Sequence, residues 1–234
     1  MKKNVNIKIL PSLNNVCATA VDIFLDLLDN DSKNSFIVPG GTTPVPFYKH
    51  LARRIQNWEG VTLCLSDERL VNENSIYSNY RMIKEKLNQS KTNVKKLNLI
   101  SFFNDYSKNN LEYKIASLNQ MIYPIMPFKA AFLGIGRDGH TASLFPEVDY
   151  DDKQDPLTII KRIEEPFNRI SISLRVLAQI PFLIFMVAGK DKKEVLNQIV
   201  NKTNNSDSII VNKLISRCKG KVLIICDQDA ASCL

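Results

Sequence analysis

The chain predicts an α/β fold in which a mainly parallel sheet is covered by helices. Three observations carry that prediction. Strand-like and helix-like segments alternate along the 234 residues, as they do in repeated strand–helix units. The strand-like segments are short, nearly continuous apolar runs, the signature of strands buried on both faces. Several of these runs end directly in glycine-rich or charged turns, where α/β sheets place their sites.

The elements follow in order. Ser35–Pro39 is a short apolar run that ends in glycines. Val45–Asn57 has helical spacing of Phe47, Leu51 and Ile55, with Pro44 and Pro46 near its start, where proline is tolerated. Val61–Leu65 is strand-like and runs into Ser66-Asp67-Glu68-Arg69. Ser78–Leu87 reads as a helix opened by a serine cap. Asn98–Ser101 is a short strand, Leu111–Ile122 a helix and Ala130–Leu133 a buried strand. Arg169–Leu174 alternates as a strand does, Phe182–Ala188 is a buried strand, Lys190–Val200 a helix and Val222–Cys226 the last strand. Glu147–Pro156 is acidic and turn-rich, with the character of a flap over a site, and Asn201–Ser208 is a polar surface loop. Neither suits an interdomain linker and no repeats are present, so residues 1–234 are expected to form a single domain.

Composition narrows the class. Hydrophobic residues make up 44% and charged residues 24% of the chain, ordinary values for a soluble globular protein. Met1–Pro11 is basic without a long apolar stretch, unlike a secretory leader. No apolar run reaches the roughly 18–20 residues that span a bilayer, so no membrane partner is expected. The five cysteines (Cys17, Cys64, Cys218, Cys226, Cys233) are odd in number and lack Cys-x-x-Cys spacing. That argues against a disulfide framework or zinc site and for the reducing cytoplasm. The net charge is +7, but Lys33, Lys84, Lys108, Lys161 and Lys192 are scattered, and the dense patch Lys91–Lys96 has no interleaved aromatics. Nucleic acid is therefore disfavoured as a partner, and the surplus suits an anionic substrate.

The most informative stretch is Ala130–Pro146, in which an apolar run is followed at once by Gly134, Gly136 and Gly139, and then by His140, one of only two histidines. Glycine backbone at a strand's carboxyl end lets a ligand approach closely, and histidine is the side chain suited to acid–base work near neutral pH. Gly134-x-Gly136-x-x-Gly139 also fits the dinucleotide fingerprint. Pro146, however, leaves barely two helical turns after Gly139, and the motif is not in the first strand–helix unit, so no nicotinamide cofactor is expected. Val38–Pro44 lies between a strand and a helix, where backbone N–H groups and the hydroxyls of Thr42 and Thr43 can meet a phosphate. Arg69 is suited to a bidentate anion contact, and Asp67 to holding a sugar hydroxyl or orienting another side chain. Arg169 begins a strand, and Lys192 would open a helix, an unfavourable place for a cation unless an anion is bound there. His50 sits in an amphipathic helix with no partner motif. No His, Asp and Glu residues have metal-site spacing, and there is no Gly-x-Ser-x-Gly elbow. A hydrolytic site would thus use water activated by His140.

These motifs together resemble the 6-phosphogluconolactonases over nearly the whole chain. The resemblance rests on Gly40-Gly41-Thr42-Thr43-Pro44, on Asp67-Glu68-Arg69 followed by Ser78-Asn79-Tyr80, and on Gly134–Pro146. Arg169-Ile-Ser, Gly189-x-x-Lys192 and Asp227-x-x-Ala230-Ala231 continue it. It implies a modified Rossmann-like fold shared with glucosamine-6-phosphate deaminases and ribose-5-phosphate isomerases. It also implies cofactor-free and metal-free hydrolysis of 6-phospho-D-glucono-1,5-lactone in the oxidative pentose phosphate pathway, by a monomer or weak homo-oligomer. By this matching His140 is the general base and Asp138 steers it. Gly40, Gly41, Thr42, Thr43, Asp67, Arg69, Gly136, Arg169 and Lys192 form the substrate site, and N–H groups of the Gly134–Gly139 turn are candidates for oxyanion donors. Two departures stand out: Thr42 replaces the more usual Ser and keeps its hydroxyl, and Ser208–Val211 lacks the Pro-Ala usual before the final strand. A phosphosugar deaminase or isomerase is the first alternative, but deaminases carry an assisting Glu in a segment ending Asn-Glu-Pro, where this chain reads Ser143-Leu144-Phe145-Pro146. A non-catalytic phosphosugar-binding regulator is the second, and it would not need His140.

Overall fold

Uninterrupted apolar runs build the centre of the molecule. The computed structural model describes residues 5–29, 33–89, 96–102, 111–148, 150, 155–161, 166–202 and 208–234. Seven strands form one sheet: β1 (Val5–Leu10), β2 (Asn34–Val38), β3 (Val61–Leu65), β5 (Asn98–Ile100), β6 (Ala130–Leu133), β9 (Phe182–Val187) and β10 (Lys221–Asp227). Their order is β1-β10-β9-β6-β2-β3-β5, and every neighbouring pair is parallel. Every residue of β2 and β6 is buried, which suits the apolar runs Phe36–Val38 and Ala130–Leu133.

Among the described residues seven α-helices connect the strands: α1 (Leu13–Asp26), α2 (Val45–Arg54), α3 (Asn79–Leu87), α4 (Leu111–Ile122), α5 (Leu174–Gln179), α6 (Lys193–Asn201) and α7 (Ile210–Arg217). Phe24 of α1 lies 4.3 Å from Phe36 of β2, and Phe47 of α2 lies 5.2 Å from Phe132 of β6, measured between ring centroids. All four rings are fully buried. Burial of each contributes about 1.5–3 kcal/mol, so the strands that lead to the two glycine turns stand on a shared aromatic base.

The chain order reverses at β2. From β2 the chain moves through β3 to β5 on one side, then returns to β6 on the other side and continues to β9 and β10. Loops leaving β2 and β6 therefore diverge and open a crevice between them, the place where α/β sheets bind ligands.

A second sheet was not foreseen from the sequence. β4 (Asp67–Arg69), β8 (Arg169–Ile172) and β7 (Leu157–Ile160) pair antiparallel in the order β4-β8-β7. Ser66 is the corner between the sheets: its N–H donates to Val38 O (2.8 Å) and its carbonyl accepts from Ile172 N–H (2.8 Å). A three-residue charged segment looks like a loop until a partner strand one hundred residues later supplies its ladder.

Other boundaries also moved. The helix expected over Val45–Asn57 stops at Arg54, where Ile55 turns extended. The strand expected over Arg169–Leu174 ends at Ile172, because Ser173 caps α5 by accepting from Val176 N–H (3.4 Å). The helix expected from Lys190 begins with a 3-10 turn over Lys190–Lys192. β1, α1, β7, α5 and α7 were missed; β7 and α5 span only four and six residues, and α7 has no capping side chain. Half of the expected flap over 147–156 (149 and 151–154) and most of the loop over 201–208 (203–207) lie outside the described residues.

Candidate active site

The crevice is a cleft of about 530 Å³. It is lined by Pro39–Pro44 after β2, by Ser66, Asp67 and Arg69, by Gly134–Asp138 and His140 after β6, and by Met186–Ala188 at the end of β9. Asn79, Ala142, Arg169 and Lys192 complete it. Every site residue expected from the sequence, namely Gly40, Gly41, Thr42, Thr43, Asp67, Arg69, Gly136, Asp138, His140, Arg169 and Lys192, lines this one cleft.

The turn after β6 is built to hold an imidazole. Gly136 N–H donates to His140 O (2.8 Å) and Gly139 N–H to Gly136 O (3.1 Å), while Gly139 takes a φ of 79°. Thr141 Oγ1 donates to Gly134 O (2.8 Å) and closes the turn. Asp138 Oδ1 lies 2.5 Å from His140 Nδ1 and accepts the His140 N–H at 3.2 Å. Partial burial opposes ionisation of Asp138, but the hydrogen bonds and charge of His140 outweigh it and hold the carboxyl at about 2, against an ordinary 3.8. An ionised carboxylate on Nδ1 leaves the Nε2 lone pair as the ring's basic site. A Cβ on Gly136 would lie 2.1 Å from Nδ1, so only glycine lets the imidazole and carboxylate settle over the turn. The N–H groups of Gly136, Gly139 and His140 are all bonded inside the turn. The Gly136 and Gly139 donors are therefore not directed at an oxyanion, which corrects the sequence expectation for those two.

The turn after β2 is held by a residue whose part the sequence did not reveal. Gly41, at a φ of 84°, donates its N–H to Asn79 Oδ1 (3.2 Å), and Asn79 Nδ2 donates to Asp67 O (3.0 Å). A Cβ on Gly40 would collide with the Asn79 amide at 2.1 Å. Asn79 thus ties the Gly40–Thr43 turn to β4, and its presence in Ser78-Asn79-Tyr80 was the only signal. The Tyr48 hydroxyl donates to Pro39 O from below. The turn then enters α2, whose positive end favours an anion, although Pro46 has no N–H and the N–H groups of Val45 and Tyr48 donate to Thr42 O and Pro44 O (both 3.2 Å).

The small sheet supplies the charges. Arg69 and Arg169 are direct partners across β4 and β8. Like charges placed opposite one another repel, and Asp67 on the same face offsets this, with Oδ2 lying 3.9 Å from Arg169 Nη1. Arg69 Nη1 donates to Tyr77 O (2.9 Å), and Arg169 stacks over the Phe145 ring at 5.7 Å. Glu68 points the other way: it accepts from Ser78 Oγ and from the N–H groups of Asn79 and Tyr80, at 2.8–3.0 Å, and so caps α3. Burial raises its carboxyl above the ordinary value, with those hydrogen bonds opposing the shift. It is structural.

Lys192 enters on a turn fixed from elsewhere. The Asp227 carboxylate accepts the N–H of Gly189 (3.0 and 3.1 Å) and of Ala230 (2.8 Å), holding Gly189 at a φ of 97°. Asp191 bridges Lys192 (3.8 Å) and Arg137 (2.8 Å), which joins this turn to the His140 turn. Arg137 also lines the cleft and was not foreseen. His50 bonds Asn14 at 2.9 Å on the surface, away from the cleft. Among the described residues no three His, Cys, Asp or Glu side chains are grouped as metal ligands, and no helix is long and apolar enough to cross a membrane.

Known proteins share both the sequence pattern and this architecture. The sequence profile of the glucosamine-6-phosphate isomerases/6-phosphogluconolactonase family matches residues 12–222. A 6-phosphogluconolactonase of Thermotoga maritima is 30% identical over 181 residues, covering 76% of this chain and 79% of that one. The structure of 6-phosphogluconolactonase from Trypanosoma brucei superimposes with a TM-score of 0.85 at 20% identity, covering 100% of both chains. A monomeric glucosamine-6-phosphate deaminase superimposes with a TM-score of 0.81 at 16% identity, covering 98% of this chain and 100% of the deaminase. With the profile spanning most of its residues and the same fold in both branches, the chain belongs to the glucosamine-6-phosphate isomerase/6-phosphogluconolactonase family.

Proposed function

We propose that this chain hydrolyses 6-phospho-D-glucono-1,5-lactone to 6-phospho-D-gluconate, in the oxidative pentose phosphate pathway. The observation that carries the reading is the His140–Asp138 pair, 2.5 Å apart, in a cleft that also presents Arg69, Arg169 and Lys192. His140 Nε2 takes a proton from water as the water oxygen attacks the lactone carbonyl carbon. Asp138 stabilises the imidazolium that forms. The tetrahedral intermediate then breaks its bond to the ring oxygen, which receives the proton from His140, leaving a free carboxylic acid that ionises. Arg69, Arg169 and Lys192, with Gly40–Thr43 at the start of α2, bind the phosphate and the sugar acid.

Asp67 orients rather than touches the substrate in this reading, because its two oxygens already accept the hydroxyls of Ser66 (2.9 Å) and Ser143 (2.6 Å). The reading also assigns the enzyme to the cytoplasm, as a monomer or weak homo-oligomer. The deaminase alternative shares the fold but lacks its acid, since Ser143–Pro146 contains none.

The test is hydrolysis of freshly generated lactone, coupled to 6-phosphogluconate dehydrogenase, with the spontaneous rate as blank. Acceleration above the blank is expected. A rate equal to it would reject the lactonase, and release of ammonia from glucosamine 6-phosphate would establish the alternative.

A further inference from the structure

Ser143 lies three residues beyond His140 and takes no part in the proton transfer. It is fully buried, which costs a hydroxyl its water unless it finds partners inside the protein. Ser143 Oγ donates to Asp67 Oδ2 at 2.6 Å, and Ser143 N–H donates to Ser171 Oγ at 3.2 Å. Asp67 and Ser171 are themselves register partners across β4 and β8. One residue of the His140 segment therefore bolts onto both strands that carry the cleft arginines.

The next pair on the same face of that ribbon is Arg69 opposite Arg169. Between the two pairs lies the nearly buried Asp67 carboxylate, a charge that must be well partnered to stay there. Ser143 Oγ at 2.6 Å and Ser66 Oγ at 2.9 Å hold it, while Arg169 Nη1 stays back at 3.9 Å. The hydroxyls thus keep the carboxylate from closing a short ion pair with Arg169, whose side chain lines the cleft.

We propose that Ser143 is a positioning residue of the anion clamp, acting through Asp67 to set how far Arg169 reaches into the cleft. For its substrate this rests on the lactonase reading above. Without the Ser143 hydroxyl the carboxylate keeps one serine donor, and Arg169, with Nη1 at 3.9 Å, is the cation at hand. The guanidinium moves onto Asp67 and binds phosphate less well. The His140–Asp138 pair has no hydrogen bond to Ser143 Oγ among the described residues and keeps its geometry.

Ser143→Ala, Asp67→Asn and the double variant, each in the full chain, test this. Ser143→Ala is expected to raise KM for the lactone roughly tenfold, as for one hydrogen bond to a charged group, with kcat within about twofold. Calorimetry with inorganic phosphate as the probe should show a matching loss of affinity. The double variant should be no weaker than Asp67→Asn alone, because both changes break one path. Unchanged KM and phosphate affinity in Ser143→Ala overturn the proposal, as do a fall in kcat at constant KM or effects that multiply in the double variant. Should Ser143→Ala not fold, Ser143→Cys, with a weaker donor of similar size, should give an intermediate affinity, and wild-type affinity there overturns the proposal equally. A wild type inactive on the lactone removes only the lactonase reading, since the phosphate titration still reads the clamp.

Discussion

The seven-stranded sheet reaches the cleft through backbone turns, whereas the three-stranded sheet reaches it through charged side chains held in register. In the first, β2 and β6 end in glycines that bring the main chain and one imidazole to the crevice. In the second, Asp67, Arg69 and Arg169 owe their places to pairing between β4 and β8. The difference separates two tasks. The proton-transfer pair is assembled within three consecutive residues, Asp138, Gly139 and His140, and is held by hydrogen bonds within its own turn. The anion clamp is assembled from distant segments and depends on the links between them: Asn79, Ser143 and Asp227.

That division can be broken from either side. The largest effect is expected for His140→Ala, which should lower kcat by about 10²–10⁴-fold, the usual worth of a general base. Calorimetric affinity for 6-phosphogluconate should meanwhile change little, and equal loss of both would put His140 in the clamp. Arg69→Ala comes next, with KM raised about 10–100-fold, as for a lost charge-assisted contact, and kcat much less affected. An unchanged KM removes Arg69 from substrate binding. Gly136→Ala pushes a methyl against the imidazole and should cost roughly tenfold in kcat, since small misplacements of a catalytic group are costly. A normal kcat there would show that the turn can relax.

The smallest effect belongs to Asp138→Asn under acid. A carboxyl held at about 2, below its ordinary 3.8, contributes stability that is fully present above the ordinary value and lost as pH falls toward about 2. Urea unfolding should therefore show the wild type ahead of Asp138→Asn near neutral pH, with the gap closing between about pH 4 and about pH 2. Asp138 is partly exposed, so solvent keeps the gap small. A gap that stays constant over that range would mean that Asp138 is not held by His140.

Much of the site was legible because its motifs follow directly on apolar strands. Gly40–Thr43 and Gly136–His140 could be placed at strand ends from local pattern alone, and the parallel sheet followed from the alternation of elements. Arg69 was legible as a cation at a strand end, but not as the cross-strand partner of Arg169. Ser66–Arg69 read as a loop because four polar residues in a row show no period of their own. Asn79, Ser143 and Asp227 were visible only as letters in motifs, since a hydrogen-bonding side chain carries no sign of its partner until the fold supplies one. The N–H groups of Gly136 and Gly139 were misjudged for the same reason: their use inside the turn depends on φ angles such as the 79° of Gly139.

By itself the sequence determined the α/β class, the glycine turns and about half of the residues that line the cleft, because strand burial, turn chemistry and capping act over a few neighbouring positions. Only the tertiary structure decided that Arg69 faces Arg169, that Ser143 holds Asp67 and that Asn79 pins the Gly40–Thr43 turn. Those contacts join segments between 38 and 100 residues apart, and their geometry exists only once the hydrophobic core has brought both sheets together.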